Sequence, residues 1–138
     1  MEIKKNINKR AYICKAYAIE LDKMTAVNYP GSKIKVSGEF KEIHYSTVEF
    51  SEEESINGEP VSQELVFQFF GKSEKFDQSI KTLTDKYNCI KLEYSNGESI
   101  LVGTPDNPVS FKKIVSDKGN KSSLEVGRLS AEPAKHLI

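Results

Sequence analysis

Residues Ile90 to Gly103 constrain the fold more than any other stretch of the chain. Asn96-Gly97 is the preferred pair for a two-residue type I′ turn, because both central positions need positive φ. A turn centred there places Ser95 opposite Glu98 and Leu92 opposite Leu101. Ile90, Leu92, Tyr94 and Leu101 then share one face, and Lys91, Glu93, Ser95 and Glu98 occupy the other. Turn chemistry and alternation agree on an antiparallel hairpin.

Other segments repeat the period of two. Lys33 to Phe40 sets Ile34, Val36 and Phe40 against Lys33, Lys35, Ser37 and Glu39, as in a half-buried strand. The phase slips between Lys41 and Ser46, which predicts a bulge or break there. Val61 to Phe70 resumes the pattern, with Val61, Leu65, Phe67 and Phe69 forming the apolar face. Val109 to Val115 and Ser122 to Leu129 read as two more strands, joined by a turn at Ser116 to Asn120. Turn residues also mark Asn28 to Ser32 and Thr104 to Pro108. Ser51 to Pro60, with Asn57-Gly58, reads as an exposed acidic loop, and Ser130 to Ile138 has no periodic pattern.

Tyr12 to Asp22 is ambiguous. Ile13, Tyr17, Leu21 and Met24 make a helical stripe, yet the same stretch is apolar on both sides of a strand. A strand is the preferred reading, in keeping with the later segments. Ser73 to Tyr87 is the one helix that the sequence predicts. Phe76, Ile80, Leu83 and Tyr87 fall on one stripe, Ser73 suits the N-cap, and Asn88 suits a left-handed stop. With one apolar face, this helix is expected on the outside of a sheet.

About seven strands and one helix predict an α+β, mainly β fold: an antiparallel β-sandwich or partly closed barrel with one flanking α-helix. The 138 residues match the size of a single domain, spanning 1–138, with 1–10 as a candidate flexible arm. Hydrophobic residues at 38% and charged residues at 29% argue against disorder. Twenty basic side chains balance twenty acidic ones, so net charge points to neither nucleic acid nor an anionic membrane. The distribution is uneven. Met1 to Lys15 holds five basic residues against Glu2, and Glu49 to Glu64 holds six glutamates with no lysine or arginine. No apolar run approaches the length of a membrane span, and the charged start lacks a signal-peptide core, so a cytoplasmic protein is expected.

No catalytic, cofactor-binding or metal-binding residue emerges, and the chain is not expected to be an enzyme. His44 and His136 have no metal-ligand spacing and read as solvated. Cys14 and Cys89 sit among apolar neighbours and read as small buried hydrophobes, both reduced. Glu52-Glu53-Glu54 lacks the spaced ligands and central glycine of a calcium loop. Lys33, Lys35, Lys112, Lys113 and Lys121 offer some charge to a nucleic acid. The aromatics, however, fall on the apolar faces of their strands, so core packing explains them better.

Two runs carry a family resemblance. Gly38-Glu-Phe-Lys-Glu-Ile-His-Tyr-Ser46 is followed by Val48 to Glu54 and Ser62 to Phe67. Ile90 to Glu98 then leads through Leu101-Val-Gly-Thr104 to Asn107-Pro108. In that order, with a short helix between, they resemble small tail-associated structural proteins from phages and prophages of Bacteroidetes-type bacteria, over residues 33 to 138. The ending His136-Leu-Ile138 departs from the aromatic residue that members often carry. The resemblance implies a β-sandwich or barrel, no catalytic residues and no cofactor. It implies partnership with other tail proteins and with copies of itself in a ring, first in the cytoplasm and then in the particle. The basic arm and the acidic 49–64 segment are candidates to meet across such a contact. The alternative from another class is a small β-sheet binding module for nucleic acid.

Overall fold

A computed structural model describes residues 12–28, 33–53, 60–115, 121–130 and 134–137. The expected arm, the turns at 29–32 and 116–120, and the acidic residues 54–59 lie outside them. Eleven strands and one α-helix are described. They are β1 (Ile13–Glu20), β2 (Met24–Asn28), β3 (Lys33–Gly38), β4 (Lys41–Glu42), β5 (Thr47–Glu53), β6 (Val61–Phe70), α1 (Glu74–Asp85), β7 (Asn88–Tyr94), β8 (Ser99–Val102), β9 (Lys112–Val115), β10 (Lys121–Ser130) and β11 (Lys135–Leu137). A 3-10 turn, Leu21–Lys23, joins β1 to β2. The fold is α+β and mainly β, and its larger sheet curls into a half-barrel.

The larger sheet has the order β2-β3-β11-β8-β7-β1-β4, and the smaller has β5-β6-β10-β9. Every pairing is antiparallel except β3 with β11. The slip expected near Lys41 to Ser46 is where the chain leaves the larger sheet at β4 and enters the smaller one at β5. The ambiguous Tyr12 to Asp22 stretch is strand followed by the 3-10 turn.

Two apolar clusters lie on opposite faces of the larger sheet. Neighbouring residues alternate between them: Ala18 and Ile19 on β1, Ile90 and Cys89 on β7, Val102 and Leu101 on β8. The first cluster is the core between the sheets, centred on Leu65, Phe67, Phe69, Leu92 and Leu124. Phe67 packs against Tyr45 and Phe111 with ring centroids 5.6 and 5.8 Å apart. The second gathers Ile19, Ile34, Cys89 and Leu101 inside the curl, with Val36 and Phe40 alongside.

Helix α1 adds Phe76, Ile80 and Leu83 to the first cluster, and Phe76 meets Phe69 edge-on at 5.6 Å. Ser73 caps it by accepting the Phe76 N–H at 3.1 Å. Two helix expectations need correction. Tyr87 lies past the helix and is 61% exposed. Asn88 is no left-handed stop: it is the first residue of β7, paired with Glu20. It ends the helix with its side chain, whose amide donates to the carbonyls of Thr82 and Lys86 at 3.2 and 2.7 Å.

The hairpin forms, but one residue out of the expected register. Tyr94 N–H donates to Glu98 O at 2.8 Å and Gly97 N–H to Tyr94 O at 3.0 Å. The loop is therefore the three residues Ser95, Asn96 and Gly97, with Gly97 at φ +91°. This three-residue form is the next commonest hairpin connection. Leu92 pairs with Ile100, and Leu101 with Lys91. A one-residue change sends a side chain to the opposite face, so Leu101 enters the second cluster instead of joining Leu92.

Three further corrections concern strand extent. Ser51 to Glu53 continue β5 instead of opening a loop. The stretch after Ser130 contributes β11, inserted between β3 and β8. Within Val109 to Val115 only Lys112–Val115 is strand, Val109 making a single bridge to Asn88.

Candidate interaction surface

Cys14 and Cys89 have opposite environments. Ile13 pairs with Tyr94 and Lys15 with Glu93, which leaves Cys14 as the extra residue of a β-bulge. Its side chain is exposed, contrary to the buried position expected, and its thiol donates to Glu93 O at 3.4 Å. Cys89 is buried as expected. Burial pushes its thiol up to about 12, against a smaller opposing pull from Arg128. Burial also raises the hydroxyls of Tyr17, Tyr45 and Tyr94 above their usual range.

The histidines lie apart. His44 shares an open cleft of about 350 Å³ with Cys14, Glu42 and Tyr45, and its backbone N–H donates to Ser79 Oγ at 2.9 Å. His136 is exposed on β11 and lines another shallow cleft with Lys91 and Ser99. A third cleft, of about 410 Å³, includes Glu20 beside α1. Glu20 is ringed by Lys23, Lys41 and Lys86 at 3.4, 4.0 and 4.0 Å. Among the described residues no group of three His, Cys, Asp or Glu side chains could hold a metal ion. Among them, too, no helix is long and apolar enough to cross a membrane.

At one end of the inner face of the smaller sheet, Glu52, Gln63 and Arg128 form a polar row across β5, β6 and β10. Gln63 is only 2% exposed, and its amide donates to Glu52 Oε2 at 2.7 Å. The same oxygen accepts Ala134 N–H at 2.7 Å, just before β11. Arg128 donates to Asn107 O, and Asn107 returns a bond to Leu129 O at 3.1 Å. Burial lowers the Arg128 pKa, with the nearby Cys89 thiol opposing that shift. The row joins the smaller sheet to the Thr104–Asn107 turn and to β11, so its geometry is that of a structural clasp. Gln63 escaped the sequence reading, although its odd number, shared with Val61 and Leu65, carried the signal.

The smaller sheet is also the more open one. Its outer face carries polar side chains with Val66 among them, and at its margins Phe70, Ile114 and Leu129 are 49%, 42% and 64% exposed. Lys121 lies over the Phe70 ring at 5.6 Å. Its two edge strands differ in sign. β5 carries Glu49, Glu52 and Glu53, and β9 carries Lys112 and Lys113, all exposed. Among the described residues no strand pairs with the outer side of either edge. The five lysines considered for nucleic acid are divided, Lys33 and Lys35 on the larger sheet and Lys112, Lys113 and Lys121 on the smaller. No protein-family model, curated protein or solved structure matches the chain.

Proposed function

We propose that this protein is a non-enzymatic structural or assembly subunit, of the kind that builds a phage or prophage tail as a tube, terminator or similar ring. The observation that carries this reading is the pair of oppositely charged edges on the smaller sheet, neither of them paired on its outer side among the described residues. Exposed edge strands are templates for pairing with another chain, and soluble proteins ordinarily shorten, cover or charge them. Here each edge carries charge of a single sign, which repels its own kind and leaves the opposite kind as a partner. The resemblance of residues 33 to 138 to tail-associated proteins points the same way. In this role the protein is made in the cytoplasm and ends in the particle, bound to copies of itself and to other tail proteins.

The test is sedimentation velocity across a concentration series at low and high salt. Weak self-association that grows with concentration and fades as salt rises is expected, because exposed charges are screened beyond about 8 to 10 Å at physiological ionic strength. A protein that stays monomeric throughout, and binds single-stranded nucleic acid tightly at low salt, would replace this reading with that of a nucleic-acid-binding module.

A further inference from the structure

We infer that copies of this chain join head to tail through the smaller sheet, the β9 edge of one copy adding antiparallel to the β5 edge of the next. The inference rests on the assembly reading above and names its partner surface. The direction of the strands is the first support. β5, β6, β10 and β9 are antiparallel in succession, so the two edges of this four-stranded sheet run in opposite directions. Two copies set side by side in the same orientation therefore present edges that already match an antiparallel ladder.

Register is the second support. Lys112 pairs with Glu125, Glu125 with Val66, and Val66 with Glu49, so one row crosses the whole outer face. Extending that row by one strand spacing, about 4.8 Å, sets Lys112 of one copy opposite Glu49 of the next. The adjacent rows set Lys113 beside Val48 and Ile114 beside Thr47. The straight continuation of the sheet is thus also the one that pairs opposite charges and covers Ile114, which is 42% exposed.

Alternative pairings of the same edges are unfavourable. Two β5 edges would bring the outer-face Glu49 and Glu53 of each copy together, and two β9 edges would bring Lys112 and Lys113 together. Like charges facing across a ladder destabilise it. Of the other described edges, β4 has two residues, and β2 carries no ionisable side chain to set a preference. A β9-to-β5 contact is heterologous, so it closes into a ring or continues as a filament according to the rotation between copies.

The experiment uses the full chain with Cys14→Ser. Ile114→Cys and Thr47→Cys variants are mixed under mild oxidation and compared with each alone. Disulfide dimers in the mixture, well above either variant alone, are expected. In parallel, K112E and E49K should each weaken self-association on the order of tenfold, and the two together in one chain should restore it. Circular dichroism checks that the exposed substitutions leave the fold intact. Self-association without mixed-variant cross-links or charge-swap rescue overturns this contact and leaves the assembly reading standing. No self-association and no cross-linking at any concentration overturns both.

Discussion

The larger sheet buries apolar side chains on both faces, whereas the smaller one buries one face and gives the other to solvent. The difference is written in their strands. β7 holds buried Asn88, Cys89, Ile90 and Leu92 with little alternation, while β6 alternates from buried Val61 to exposed Phe70. A sheet covered on both faces contributes to the fold alone. One with an open face, and with edges that no other described strand pairs, keeps backbone and side chains available to a partner. On the reading proposed above, the smaller sheet is the surface that meets other copies, and the larger sheet is the body that holds it.

Adjacent residues of β6 offer the sharpest way to break that comparison. Phe67 is fully buried, and Phe67→Ala should cost about 3 to 5 kcal/mol through lost contacts and the cavity left behind. Val66, one residue along on the outer face, should cost less than about 1 kcal/mol when cut to alanine. Denaturant midpoints measure both, and equal losses would mean that the outer face is covered after all.

The curl of the larger sheet gives the next effect. Gly38 has φ +149°, and a Cβ there would lie 2.5 Å from Ile19 Cδ1 and 2.6 Å from Lys23 O. Gly38→Ala should cost about 2 to 4 kcal/mol by combining backbone strain with overpacking. Gly71, at φ +80° with open space around it, should cost only about 1 kcal/mol. A thermal melt of each variant separates steric closure of the curl from backbone preference alone.

The smallest effect is chemical and divides the two cysteines. Cys14 should react with a thiol probe in the native protein, and Cys89 only on unfolding. Because burial raises the Cys89 pKa from 9.0 to about 12, the folded state keeps the thiol protonated where the unfolded chain ionises it. Its contribution is therefore intact below about pH 9 and is lost as pH rises toward 12. The raised tyrosines act in the same direction. Cys89→Ala should make stability fall less steeply with pH across the alkaline range, which urea titrations at several pH values would show. An unaltered slope would place the alkaline sensitivity elsewhere.

Much of the fold was legible because long alternating runs leave few choices. β6, β3, α1 with its Ser73 cap, and the break after Phe40 follow from period and turn chemistry. The misses share one cause, that pairing partners are not local. The favoured Asn96-Gly97 pair suggested a two-residue loop, and the third loop residue moved Leu101 to the other face. Cys14 looked buried by its neighbours, but the bulge that exposes it exists only against Tyr94 and Glu93. β11 has three residues, too few to show a period. The opposed edges were legible only as an acidic segment and scattered lysines, because strand order decides which charges end on which rim.

The placement of β11 also sets an order of events during synthesis. β3 reaches β8 only through Lys135–Leu137, and Lys33 pairs with His136, roughly a hundred residues later. At about 5 to 20 residues per second, the β2–β3 hairpin leaves the ribosome roughly 5 to 20 s before its neighbour exists. Through that interval β3 is an open template on a nascent chain, at risk of pairing with other unfinished copies. Lys33 and Lys35 stand on that strand, and both are still exposed in the finished fold. Like charges on that strand disfavour pairing between two such waiting edges, whatever they contribute to the completed sheet.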